Sequence, residues 1–300
     1  MSPGTPLARI GLGAAQFGMP YGRFNQRGMP TDADVAAMLA RAAQYGLSSI
    51  DTAHLYGESE QALGRCADLL PAFEIVTKTP RFADGAIGAE QAQALHEAFS
   101  DSLHALRLAR VHGLLIHHAP NLLAPGGERL YEAMLALKRD GVVTHIGVSV
   151  YDTEIAEAIQ ACFPMDMVQL PMNVLDQRPL RSGGLARLAA AGVKVQVRSA
   201  FLQGLLLADP GTLDPHFTGI RAALQRFHEC AACAGISPAH AALHFLLGNA
   251  DIDRVIVGVE SVAHLDQLFS HFPAPAAIDY AAFGINQSEI LNPAMWPQES

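Results

Sequence analysis

Two kinds of stretch alternate along the chain. Apolar runs of six or seven residues, RIGLGAA (9–15), SSIDTA (48–53), FEIVTKT (73–79), VHGLLIH (111–117), HIGVSV (145–150), MVQLPMN (167–173), VKVQVRS (193–199) and RVIVGV (254–259), are separated by longer Ala- and Leu-rich stretches of helical period. DADVAAMLARAAQYG closes on Gly46 and GERLYEAMLALKRDG on Gly141, where glycine supplies the left-handed residue that ends many helices. Alternation of this kind is the signature of parallel βα units, and eight of them predict a closed (β/α)8 TIM barrel. An open doubly wound sheet would carry a glycine-rich phosphate loop after its first strand; here Gly11 and Gly13 begin a GxG, but Gln16 stands where the third glycine belongs.

The spacing between the last two runs is long. SAFLQGLLLADPGTLDPHF (199–217) leads into helical stretches at 218–234 and 238–249, which predicts an enlarged loop after strand seven. Residues 1–300 read as a single domain, with 273–300 a mostly irregular C-terminal tail.

Composition narrows the partners. Twenty Lys and Arg against 29 Asp and Glu leave a formal charge of −9, which disfavours nonspecific attraction to nucleic acid or an anionic membrane and points to a small molecule. MSPGTPLARIGLG has no basic region followed by an apolar core, so a cytoplasmic protein is expected, as a monomer or small homo-oligomer. Four cysteines are too few and scattered for a disulfide framework. Cys230 and Cys233 lie inside a predicted helix with no second CxxC, so ordinary packing is expected of them and no metal site.

Barrel active sites form at the C-terminal ends of the strands. Run two ends in Asp51 with Tyr56 just beyond, run three in Lys78 and run four in His117. Each has an ordinary structural reading alone; together they set a carboxylate, a phenol, an ammonium and an imidazole at one mouth. A nearby ammonium favours the ionised phenol, a carboxylate makes a buried ammonium tolerable, and an imidazole orients an oxygen or passes a proton. That set suits a carbonyl oxygen gaining electron density as hydride reaches its carbon. His118 either faces the substrate or lies solvated in its loop; Gln16, Phe17, Met19 and Tyr21 either wall the pocket or pack the loop after the first strand.

DTAHLYGESEQALG, VTKT and LLIHHAP, followed in order by IGVSVYD, VQLPMNVLDQR, RSAFLQGLL and RVIVGVESVAHLDQL, resemble the aldo-keto reductase family from Gly11 to about Phe269. The resemblance implies Tyr56 as general acid and base, Lys78 and Asp51 as its tuning pair, and His117 positioning the carbonyl. It also implies a nicotinamide cofactor, NADP(H) favoured and NAD(H) possible. Asp51, Ser149 and Gln169 would lie at the nicotinamide, Arg198, Ser199 and Gly204 along the ring and pyrophosphate, and Gly258, Glu260, His264 and Gln267 around the adenosine.

The departures are specific. Arg198 replaces the tyrosine with which many relatives stack on the nicotinamide, Val150 follows Ser149 where Asn is frequent, and Leu268 replaces an Asn near the adenine. Glu260 stands where a small polar or basic residue receives the 2′-phosphate, with His264 or the enlarged loop as possible compensation. Two other readings compete with hydride transfer: a cofactor-binding redox-sensing or regulatory subunit, and a metal-dependent hydrolase, for which the expected His and carboxylate cluster is missing.

Overall fold

Every one of the eight apolar runs forms a strand, most trimmed where the chain turns out of the sheet. In the computed structural model, which describes residues 6–25 and 27–297, they are β1 (Ile10–Gly13), β2 (Ser49–Asp51), β3 (Glu74–Lys78), β4 (Val111–Ile116), β5 (Val143–Ser149), β6 (Met167–Pro171), β7 (Lys194–Arg198) and β8 (Arg254–Gly258). β5 starts earlier than its run suggests, because Val143 still pairs with Val111. Neighbours in sequence pair in parallel, and β1 closes on β8 with Gly13 opposite Gly258. The N-terminal pentapeptide and the last three residues of the tail lie outside the described residues.

Helices cover the barrel: α1 (Asp32–Tyr45), α2 (Ser59–Arg65), α3 (Ala89–Leu106), α4 (Glu128–Arg139), α5 (Thr153–Cys162), α6 (Gly184–Ala190), α7 (Arg221–Cys233), α8 (Pro238–Leu247) and α9 (Val262–Phe269). α1 shows how local chemistry sets the ends. The Thr31 side chain accepts from the Asp34 N–H while the Asp34 carboxylate accepts from the Thr31 N–H, and the helix stops at Gly46 with φ of 80°.

Two apolar layers hold the domain. The larger lies between sheet and helices, where Leu39, Leu63, Leu95, Met134, Ile159 and Leu265 are buried against outward-facing strand residues such as Leu12, Ile50 and Ile75. Burying each such side chain contributes about 1.5–3 kcal/mol. A separate cluster of Val76, Leu115 and Met167 fills the barrel itself, so the interior is a packed core that leaves function to the mouth.

The long connection after β7 runs through 3-10 turns at Leu202–Leu207, Pro210–Thr212 and Pro215–Ile220 before α7. The helix expected from 218 therefore begins only at Arg221. The tail contains short turns at Tyr280–Phe283, Ser288–Leu291 and Pro293–Met295 separated by coil. It docks through Trp296, which is buried 4.9 Å from the Phe217 ring and donates its indole N–H to the Ile290 carbonyl.

The expectation for the CAAC pair is corrected: Cys230 and Cys233 are exposed. The buried stripe of α7 is Leu224, Phe227 and Ala231, and the two thiols fall off it. Among the described residues no group of three or more His, Cys, Asp or Glu side chains is arranged to hold a metal, and no single helix is long and apolar enough to cross a membrane.

Candidate active site

The C-terminal mouth is built around a buried ion pair. Lys78 Nζ lies 2.7 and 2.8 Å from the two Asp51 oxygens, 2.9 Å from the Thr52 carbonyl and 3.3 Å from Tyr56 Oη. Both charged side chains are almost fully buried, at 1% and 5% exposure. Burial works against the ammonium, but Asp51 and then Tyr56 outweigh it and hold the Lys78 pKa above the ordinary lysine value. Gln169 completes the shell by donating its Nε2 to Asp51 at 2.6 Å.

Backbone contacts fix Tyr56. Its N–H donates to the Ala53 carbonyl and its carbonyl accepts from Ser59, while His54 N–H donates to the Lys78 carbonyl across to β3. Gly57 has φ of 57°, and a Cβ there would overlap the Gly18 carbonyl, which itself accepts from Glu58. A Cβ on Gly18 would in turn strike the Tyr56 carbonyl and Ser59 nitrogen. Only paired glycines let the loops after β1 and β2 meet this closely.

His117 sits edge-on to Tyr56, the ring centroids 5.8 Å apart at 85°. Its pKa is lowered to about 3, first by burial and then by Lys78, Arg198 and His118, so the imidazole is neutral in ordinary buffers. Its buried Nδ1 has no protein partner.

Beside this cluster a cavity of about 500 Å³ is lined by Asp51, Tyr56, Arg198, Ser199, Gly204, Gly258, Glu260 and His264, all expected, together with Gln16, Tyr21, Phe24, Gln203 and others. Ser149 and Gln169 are buried at the adjoining strand ends. Gln267 is exposed on α9 and does not line the cavity, because Leu265 and Leu268 turn the inner face of that helix to the core. Packing also accounts for Leu268 in place of Asn: it is 2% exposed. His118 turns to the loop after β3, 3.5 Å from Asp84. Of the other residues weighed for the wall, Phe17 packs in the core, Met19 does not line the cavity, and Gln16 donates to the Val259 carbonyl at 3.0 Å.

Three features escaped the sequence reading. Glu60 is buried behind β3, accepting from Thr77 at 2.5 Å, and burial raises its pKa. The Arg198 guanidinium packs 4.6 Å over the Tyr151 ring and donates to the Val150 carbonyl at 3.3 Å. Around Glu260 the opposing charge is that of Arg27 in the loop after β1, where compensation from His264 or the enlarged loop was expected: burial raises the Glu260 pKa and Arg27 opposes the shift, while burial and Arg27 both lower that of His264.

A nicotinamide fits this chemistry. Gln169 spends its N–H on Asp51, leaving its buried Oε1 without a partner and able to accept from a carboxamide.

A family model described as the aldo/keto reductase family matches residues 9–279. The chain belongs to the aldo/keto reductase family. Aldo/keto reductases are nicotinamide-linked oxidoreductases of carbonyl compounds, and this one shares their barrel with solved structures. An aldo-keto reductase from Bacillus halodurans in its holo form superposes with a TM-score of 0.73 at 19% identity, covering 97% of this reductase and 94% of that chain. The glycerol dehydrogenase of Gluconobacter oxydans gives 0.72 at 21% identity, covering 100% and 97%. No curated protein matches the sequence.

Proposed function

We propose that the protein is a cytoplasmic reductase of aldehydes, ketones or sugar-like carbonyl compounds, or dehydrogenase of the matching alcohols, with Tyr56 as general acid and base. The observation that carries this reading is Lys78 Nζ held 3.3 Å from Tyr56 Oη while clamped to both oxygens of Asp51. When bound, the nicotinamide supplies hydride to the carbonyl carbon. Tyr56 gives its proton to the carbonyl oxygen, and the charge left on the phenol oxygen is met by the ammonium beside it. In the reverse direction the same oxygen takes the alcohol proton. His117, neutral and half-buried, orients the carbonyl by donating a hydrogen bond and keeps its own charge state throughout.

Ser149 and Gln169 hold the carboxamide, Gln169 through its free Oε1. Ser199 and Gly204 border the pyrophosphate, and Gly258, Glu260 and His264 the adenosine. The cofactor favoured is NADP(H), with Arg27 and His264 facing the 2′-phosphate and Glu260 opposing it; NAD(H) is the alternative. One fold neighbour is a glycerol dehydrogenase, which agrees with a polyol or sugar-like substrate.

The test is fluorescence titration with NADPH and NADH, then steady-state turnover of an aldehyde panel by wild type and Tyr56→Phe. Binding retained with turnover reduced on the order of 10²- to 10⁴-fold is expected. Undiminished turnover in the Phe variant would sink the acid role, and Arg27→Ala that weakens NADPH no more than NADH would sink the phosphate assignment.

A further inference from the structure

One cation at the mouth has no ion-pair partner among the described residues. Lys78 is neutralised by Asp51, and His117 is neutral. Arg198 at the end of β7 adds a positive charge that no carboxylate answers among the described residues: its contacts are the Tyr151 ring and the Val150 carbonyl. Asp209 and Glu260 line the same cavity, but neither forms an ion pair with it. Asp152, two residues beyond Val150, is occupied in capping α5 through the Ile155 N–H. A part-buried guanidinium left unpaired is costly in a protein whose formal charge is −9 and whose carboxylates are plentiful.

The position of Arg198 is fixed as well as unpaired. Tyr151 covers one face of the guanidinium plane and one nitrogen is held by Val150, leaving the remaining donors free toward the cavity. Ser199, immediately after it, takes φ of 62°, and its carbonyl accepts from the Asn173 side chain at 3.2 Å. Leu202 and Gln203 are also left-handed, at 48° and 52°. Such backbone is costly for residues with side chains and persists where the surroundings enforce it. Arg198 lines the same cavity as Tyr56, which puts its guanidinium at the mouth where the carbonyl is met. A guanidinium over an oxidised, cationic nicotinamide would be repelled by it, so stacking on the ring is not the role this charge suits.

We infer that Arg198 is a substrate-recognition residue, and that the preferred substrates are carbonyl compounds bearing an acidic group, a carboxylate or a phosphate ester, which pairs with its guanidinium while Tyr56 and His117 meet the carbonyl. The inference rests on the reductase reading for its turnover test, and a binding test separates the two. A fixed fork of N–H donors suits either oxyanion, and the charge-assisted bonds favour an acidic substrate over its neutral analogue by roughly tenfold or more.

Two substrate pairs test it: succinic semialdehyde against butanal, and glyceraldehyde 3-phosphate against glyceraldehyde. In wild type, kcat/KM is expected to favour the acidic member of at least one pair by about tenfold or more, and the pair that responds identifies carboxylate or phosphate. Arg198→Gln should collapse that ratio toward unity and Arg198→Lys should retain part of it. Calorimetric titration of succinate and inorganic phosphate into the NADPH- and NADH-mixed proteins gives the second readout, with binding expected in wild type and lost in Arg198→Gln. If no aldehyde is turned over, the reductase reading fails and the titration alone decides the inference. Equal use of acidic and neutral substrates, or an Arg198→Gln variant that loses cofactor affinity with its acidic-to-neutral ratio unchanged, overturns it.

Discussion

At the N-terminal end of the barrel, Arg254 donates to Glu74 at 2.7 Å and to Ser48, Lys138 clamps Asp166 at 2.7 Å, Arg9 donates to the Leu247 and Asn249 carbonyls, and Lys194 lies 3.1 Å from His145. At the C-terminal end Lys78–Asp51 is closed in this way, and so are Arg178–Asp176 and Arg23–Asp214 in the surrounding loops. What sets the mouth apart is Arg198, which faces the cavity without an ion-pair partner among the described residues; buried atoms without a partner occur at both ends, Gln169 Oε1 and His117 Nδ1 at the mouth, Ser49 Oγ and His145 Nδ1 at the floor. Both ends are rich in ionisable side chains, so their abundance says little. What separates a structural end from a working one is whether protein groups answer the charges. The floor spends its charges on holding strand starts together; the mouth leaves some for a ligand.

The comparison breaks most visibly at Lys78. Lys78→Met strands the Asp51 carboxylate in a buried site with Gln169 as its remaining partner, so a loss of about 3–5 kcal/mol in urea unfolding is expected together with abolished turnover. A variant that is inactive at wild-type stability would mean the pair is less buried than described.

Gly57→Ala comes next. The left-handed φ of 57° and the overlap with the Gly18 carbonyl should cost roughly 1–3 kcal/mol and, by displacing Tyr56, about 100-fold in turnover. Gly28→Ala is its control: φ is 70°, yet nothing lies within 4 Å, so stability should fall slightly and turnover hold.

Acidity provides a milder lever. His117 is neutral in the fold with its pKa lowered to about 3, against 6.5 for the ordinary side chain, so between these values the unfolded chain binds more protons. Its contribution to stability is full above pH 6.5 and declines as the pH falls toward 3. His112, His145, His244 and His264 are shifted in the same direction, so the whole protein should lose stability over the acid side of this window. His117→Gln should flatten the slope of the unfolding free energy across it; an unchanged slope would assign the acid sensitivity elsewhere.

The strands were legible because a barrel strand buried on both faces reads as a short continuous apolar run. Asp51, Lys78 and His117 were legible for a related reason: a polar residue closing such a run has little to do inside a core. What could not be read depends on contacts between distant segments. Nothing near Glu60 predicts that Thr77 will meet it. The stacking of Arg198 on Tyr151 joins the ends of β7 and β5, and the Arg27 charge in the loop after β1 acts on Glu260 beyond β8. The cysteines show the opposite error, a composition rule applied where the helix phase decides. Cys230 and Cys233 are small and apolar, but Phe227 and Ala231 already occupy the buried face.

The most direct measurement of the division between the two ends sets Tyr56→Phe beside Arg254→Met, each assayed for turnover and for unfolding free energy in urea. Tyr56→Phe should lose on the order of 10²- to 10⁴-fold in turnover with stability within about 0.5 kcal/mol of wild type. Arg254→Met should lose about 1.5–3 kcal/mol, with kcat within about twofold of wild type. A floor variant that loses turnover at unchanged stability, or a Tyr56→Phe protein that keeps its turnover, would contradict the account.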